Sequence, residues 1–248
     1  MVFLMNDAEK DRLFECPFCG SEIKKKAKKC NECGSFIEWV NDNPIAINLD
    51  AIYEELHSYL LTRILKRRLK EIGESASRLE VKWRGGFIST KKIKDQLLRL
   101  DAEYTQIKSK LENLDEKQKP FFIDALEKYK QNLDKLKKIE SLKDKLKISR
   151  ATDKHLKKEL KSEQRLYEKR LVAFMKHYKQ LMKKIKSNLN SALKRKEILQ
   201  VEKALNEIDE TQYDEEMRTL TEKIDVCKEM LNFLKEFKKE LQLLRIYY

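Results

Sequence analysis

The sequence predicts a mainly α fold, a long antiparallel coiled coil or helical bundle with a small cysteine-bearing module at its N-terminal end. Three observations carry that expectation. Of the 248 residues, 39% are charged, well above the roughly 25% of ordinary globular domains. All five glycines lie at or before Gly86, and Pro120 is the only proline beyond it, whereas a β fold of this length needs turn residues throughout. From Ile93 onward, apolar residues recur at alternating steps of four and three, the seam of a coiled coil.

Residues 16–20 of the N-terminal module read Cys-Pro-Phe-Cys-Gly, and residues 30–34 read Cys-Asn-Glu-Cys-Gly. Each Cys-x2-Cys-Gly predicts a knuckle, its glycine turning the chain where a Cβ would clash. Cys16, Cys19, Cys30 and Cys33 then present four thiolates to one ion. Four sulfur ligands close a tetrahedral shell, so the expected cofactor is one structural zinc ion, Zn(2+), with no open position for substrate. A pair of disulfides is the competing reading. Four cysteines in metal spacing with one left over point instead to a reducing compartment, and the doubled knuckle favours metal. Iron in place of zinc would leave this reasoning unchanged. The module is too small to fold without its ion.

Residues 14–38 resemble the short zinc ribbon that many prokaryotic proteins carry at one end. The likeness rests on the two knuckles, Ile23 and the Ala27-Lys28-Lys29-Cys30 run, and covers only a small part of the chain. It implies a module that binds protein or nucleic acid and does no chemistry. Prokaryotic proteins pairing a ribbon with a coil look like accessory components of multi-protein systems, DNA-processing and phage-defence ones among them. Between the knuckles, Lys24, Lys25, Lys26, Lys28 and Lys29 read as a solvated loop offsetting the negative tetrathiolate. A phosphate-contacting fingertip is the sharper alternative.

The expected organisation is a ribbon over 1–40, a linker over 41–48, a helix with a hairpin or loop over 49–90, and a long-helix coiled-coil domain over 91–248. Asn41-Asp42-Asn43-Pro44 marks the linker. A first helix is expected from about Leu49 to Ile72, ending before Gly73. Leu79, Val81 and Trp83 alternate ahead of Gly85-Gly86, and Phe87-Ile88 follow, which leaves open a small β-hairpin or a bent loop. The second helix carries the seam Ile93, Leu97, Leu100, Tyr104, Ile107, Leu111 and Leu114. Pro120 opens the third, where its missing N–H costs nothing, with Phe122, Leu126, Tyr129, Leu133 and Leu136 at the same spacing.

A fourth helix is expected from Thr152 or Asp153, one of them the N-cap, to about Asp209. At 1.5 Å per residue its ~57 residues would span roughly 85 Å. Tyr167, Leu171, Phe174, Tyr178, Leu181 and Ile185 form its seam. The acidic stretch Asp209–Glu216 suits the start of a last helix, whose seam is Met217, Leu220, Ile224, Cys227, Leu231 and Leu234. Cys227 therefore reads as a small buried hydrophobe, and the seam aromatics as core. Helices this long should pack as an antiparallel arm or bundle, in a homo-oligomer or as a complex subunit.

The formal net charge is +13, which attracts polyanions. Residues 150–200 hold sixteen Lys and Arg against five Asp and Glu. Residues 169–196 hold ten cations and no acid: Lys169, Arg170, Lys176, Lys179, Lys183, Lys184, Lys186, Lys194, Arg195 and Lys196. Exposed coiled-coil faces ordinarily mix the two signs, because like charges at i,i+4 repel. With the fourth helix's seam inward, Lys169, Lys176 and Lys183 share the outermost heptad position, and Lys179 and Lys186 lie beside it. The stripe is expected to point away from the core and to bind nucleic acid through phosphates, without sequence preference. An acidic protein partner is the alternative, and a solvated lysine-rich face the third reading.

No apolar run approaches the ~20 residues a membrane helix needs, and the stripe helix's apolar face is taken by its seam, so no membrane partner is expected. The opening Met-Val-Phe-Leu-Met turns acidic at Asp7, Glu9 and Asp11 without a basic leader, so no signal peptide is read and a cytoplasmic location is expected. There is no Gly-rich phosphate loop, His-Glu-x-x-His or nucleophile elbow. His57, His155 and His177 are far apart and read as surface groups. Arg84-Gly85-Gly86 reads as a plain turn, and Asp209–Glu216 as capping rather than a cation site. Long coils also lack a catalytic pocket; no catalytic residue and no small-molecule substrate is expected, and the protein is not expected to be an enzyme.

Overall fold

Knuckles need tight turns, and the N-terminal residues supply them between short strands. The computed structural model describes residues 13–40, 42–114, 119–142 and 149–246; the acidic N-terminal opening and Asn41 lie outside the described residues. Strand β1 (Leu13–Glu15) pairs antiparallel with β2 (Glu22–Lys24), Phe14 opposite Ile23. Strand β3 (Phe36–Val40) pairs antiparallel with β4 (Asn43–Ile47), Ile37 opposite Ala46. Ile23 and Ile37 are buried with Cys16 and Cys30, and Phe14, Ala27 and Trp39 pack against them. Phe14 meets Trp39 edge-on at 5.0 Å, and Trp39 Nε1 donates to the Ala27 carbonyl at 2.9 Å.

The expected linker is therefore corrected: residues 43–47 form a strand. Val40 pairs with Asn43 across a two-residue connection, and Asp42 takes the left-handed conformation, φ 60°, that such turns require. Pro44 sits opposite Trp39 in a two-stranded sheet, where a residue without an N–H is tolerated at an edge.

Five helices follow among the described residues: α1 (Leu49–Arg84), α2 (Thr90–Asn113), α3 (Phe121–Leu142), α4 (Arg150–Ala204) and α5 (Glu210–Leu243). Helix α1 does not stop before Gly73 but continues for three more turns. A single glycine costs a helix about 1 kcal/mol relative to alanine; the pair Lys70–Glu74 spans the position, and Arg68–Glu71 and Glu74–Arg78 flank it. The alternating Leu79, Val81 and Trp83 are helical, so no hairpin forms there. Gly86 at φ 74° ends α1, with the Phe87 N–H donating to the Lys82 carbonyl and the Gly86 N–H to that of Trp83, a Schellman cap. Helix α4 begins earlier than expected, because Ser149 Oγ accepts the Thr152 N–H at 3.1 Å and is the N-cap. Asp209 caps α5 through the Gln212 N–H at 2.9 Å.

The chain forms two compact units. Unit 1 combines Met1–Tyr53, Lys119–Asn188 and Leu231–Tyr248; unit 2 combines Glu54–Gln118 and Leu189–Met230. In unit 1, Phe122 of α3 stacks on Phe174 of α4 at 4.0 Å, and Phe237 of α5 meets both edge-on. In unit 2, Leu56, Leu60, Ile107, Leu199, Ile224 and Met230 are buried, and so is Cys227, as its seam position requires. The α2 seam is only half covered: Ile93 and Ile107 are buried, while Leu97 and Tyr104 remain 37% and 42% exposed.

Candidate functional site

The two knuckles are built alike. The Gly20 N–H donates to the Cys16 carbonyl and the Cys16 N–H to that of Ser21; Gly34, Cys30 and Ser35 repeat the pattern. Gly20 and Gly34 sit at φ 76° and 69°, where a side chain would be strained. The result gathers Cys16, Cys19, Cys30 and Cys33 with every Sγ within 4.8 Å of the others. Cys16 and Cys33 Sγ lie 3.8 Å apart and Cys19 and Cys30 3.7 Å, far longer than the ~2.05 Å of a disulfide. All are free thiols, and together they could hold one metal ion. Among the described residues no other group of His, Cys, Asp or Glu gathers in this way, and the acidic stretch at the start of α5 is not such a group.

Behind the sulfurs stand two hydroxyls. Ser21 Oγ lies 3.2 Å from Cys19 Sγ, and Ser35 Oγ 3.1 Å from Cys33 Sγ. The Ser21 hydroxyl holds the Cys19 thiol down at about 6, and the Ser35 hydroxyl lowers that of Cys33. Burial pushes Cys16 up to about 11. Ser35 is itself buried and accepts from Asn48 Nδ2 at 3.2 Å. Asn48 Oδ1 accepts the N–H groups of Asp50 and Ala51, each at 3.0 Å, so the residue supporting the second knuckle also caps α1. Reading by knuckle spacing passed over Ser21 and Ser35, although the repeat extends to Cys-x2-Cys-Gly-Ser in both places.

The basic segment of α4 is only partly an open face. Lys176 Nζ pairs with Glu38 Oε2 of β3 at 2.5 Å. His177, expected at the surface, is buried: its Nε2 lies 3.0 Å from Glu38 Oε1, and its ring stacks on Phe36 at 4.4 Å. Glu38, Trp39 and Val40 share a cleft with Arg165, Lys169 and Lys176. At this level the outermost heptad position of α4 is engaged by β3 although the Lys176 side chain stays 57% exposed, which corrects in part the expectation of a stripe pointing away from the core. Lys184 pairs with Asp50. Arg195 is held by Glu202 at 2.7 Å and, with two nitrogens, by Glu216 at 2.6 and 3.0 Å. Arg170 and Lys196 are half-buried. Lys179, Lys183, Lys186 and Lys194 stay exposed. Among the residues around the knuckles, Lys25 pairs with Asp42 at 3.5 Å and Lys29 lies over the Phe36 ring, while Lys24, Lys26 and Lys28 are exposed.

Compared with protein-family models, with curated proteins and with solved structures, the chain matches none. No helix among the described residues is long and apolar enough to cross a membrane.

Proposed function

We propose that this chain is a non-enzymatic zinc-ribbon protein of a reducing, cytoplasmic compartment, binding the phosphate backbone of nucleic acid through α4. Zinc is the metal that the cysteine cluster suits. With Zn–S bonds of ~2.3 Å, the edge of a tetrahedral tetrathiolate is about 3.8 Å, and the two sulfur pairs lie at 3.7 and 3.8 Å. Bound there, zinc would tie the knuckles together and supply folding energy to β1–β4. Four thiolates leave it no place for substrate.

The observation that carries the binding reading is the trio Lys179, Lys183 and Lys186. They are exposed and have no ion-pair partner among the described residues. They follow one another at steps of four and three, on one face of a helix segment without acids. Their neighbours Lys176 and Lys184 are neutralised by Glu38 and Asp50 and serve the fold instead. The test is fluorescence anisotropy of random-sequence duplex and single-stranded DNA at two salt concentrations. Lys179→Glu/Lys183→Glu/Lys186→Glu should abolish binding at moderate salt with helicity unchanged by circular dichroism. A milder triple substitution to glutamine should lower the salt slope by roughly 0.9 per lysine. If wild type does not bind at low ionic strength, this reading is wrong.

A second reading, a structural subunit of a larger assembly, draws on a different observation, the exposed apolar side chains Trp83, Leu97, Leu98 and Tyr104 of unit 2. A partner that co-purifies with the chain and keeps it from aggregating would support it.

A further inference from the structure

Between α1 and α2 of unit 2 runs a groove of about 820 Å³. Ile72, Ala76 and Trp83 line it from α1, and Ile93, Leu97 and Tyr104 from α2. With Leu100, which also lines the groove, the α2 residues are successive positions of a coiled-coil seam, and such a seam is covered by a helix when its partners are all present. Here Leu97 and Tyr104 stay open. Continuous exposed apolar surface of this kind marks a place of association.

Gly73 is a second and independent sign. It lies in the middle of α1 and lines the same groove, at a helix-interior position where alanine is more favourable. A Cβ built there meets nothing within 4 Å, so no contact within the chain calls for glycine. What its bare backbone offers is close approach by something outside the chain.

The charges at the groove select the occupant. Lys94 and Asp101 both line it and both are exposed. Neither has an ion-pair partner among the described residues. They are seven residues apart and so occupy the same heptad position, the one directly following the seam residues Ile93 and Leu100. Flanking positions of this kind set partner and orientation in coiled coils. When two α2 helices lie antiparallel with Leu97 of one opposite Leu100 of the other, the exposed Tyr104 falls opposite the turn that holds the buried Ile93. Lys94 of each copy then falls beside Asp101 of the other. One two-fold axis forms both ion pairs, as an isologous contact requires.

We propose that this groove is the seat of a second copy of the chain, with α2 packed antiparallel on α2 and Gly73 admitting the closest approach. The test is sedimentation velocity of the full-length, zinc-loaded protein over a range of concentrations. Wild type should dimerise. Lys94→Asp alone, or Asp101→Lys alone, turns two attractive pairs into two repulsive ones, and each should raise the dissociation constant about tenfold. The double exchange Lys94→Asp/Asp101→Lys should restore the wild-type value. Gly73→Leu should weaken the dimer without lowering the melting temperature of the dilute monomer, which separates loss of the interface from unfolding. A chain that is monomeric throughout, a dimer indifferent to the single exchanges, or singles that the double exchange does not rescue would each overturn the proposal. The first outcome is also the one expected if a helix of another protein fills the groove.

Discussion

Asn48 does two jobs with one amide. Its carbonyl oxygen caps α1 through Asp50 and Ala51, and its NH2 supports Ser35 and, through it, Cys33. The two jobs separate by mutation. Asn48→Ala loses both and should cost about 1 kcal/mol of helix-cap stability. Asn48→Asp keeps an acceptor at the helix start, where negative charge is favoured, but has no donor for Ser35. It should keep the melting temperature while weakening zinc binding in a chelator competition. Ser35→Ala should weaken zinc by roughly tenfold or more, the usual scale for groups that orient metal ligands. If Asn48→Asp binds zinc as wild type does, the relay stops at the serine. The four cysteines were legible because their chemistry is written in local spacing. Glu38 was not legible as the partner of Lys176, because 138 residues separate them. A charge count along a window of α4 sees only that helix and misses acids delivered from β3 and from the start of α1.

At the scale of elements, periodicity located α2, α3 and α5 well, since each has a long stripe of apolar residues. It failed where signals were short or contradictory. Five-residue β4 is no longer than the loop suggested by Asn-Asp-Asn-Pro, and only pairing with Trp39 and its neighbours makes it a strand. Gly73 reads as a stop, but the flanking ion pairs carry α1 through it. The connection from α4 to α5 is held by Arg195 against Glu202 and Glu216, and that clasp has a pH signature. The Arg195 guanidinium holds the Glu216 carboxyl below the usual carboxylate range. A carboxylate held low in the folded state stabilises above its unfolded pKa, and the contribution is lost as pH falls through the folded value. Glu216→Gln should therefore melt below wild type near neutrality. The gap should close in acid, well below the ordinary glutamate pKa of about 4.3. A gap that persists in acid would assign the loss to packing rather than charge.

For the molecule as a whole, the two sources of stability are distinct. Strands β1–β4 bury only Ile23, Ile37, Val40 and Ile47 beside Cys16 and Cys30, a small core for which the proposed ion would supply folding energy. The helices rest on apolar cores such as Phe122, Phe174 and Phe237. Stripping zinc with a chelator should shift the emission of Trp39, read in a Trp83→Phe background, and leave most of the helical ellipticity at 222 nm. Collapse of the helical signal together with the metal would show that the ribbon supports more of the fold than this division allows. The order of the segments also bears on synthesis. The four thiols that make the knuckles all precede the five helices in the chain, so the knuckles are complete before any of those helices is synthesised. Unit 1, by contrast, draws on Leu231–Tyr248 and cannot close until that segment emerges. At the ~5–20 residues per second of elongation, α4 spends several seconds before Phe237 of α5 arrives, with only Phe122 of the earlier α3 at hand for Phe174. During that interval the exposed Lys179, Lys183 and Lys186 carry like charge, which opposes association between neighbouring chains.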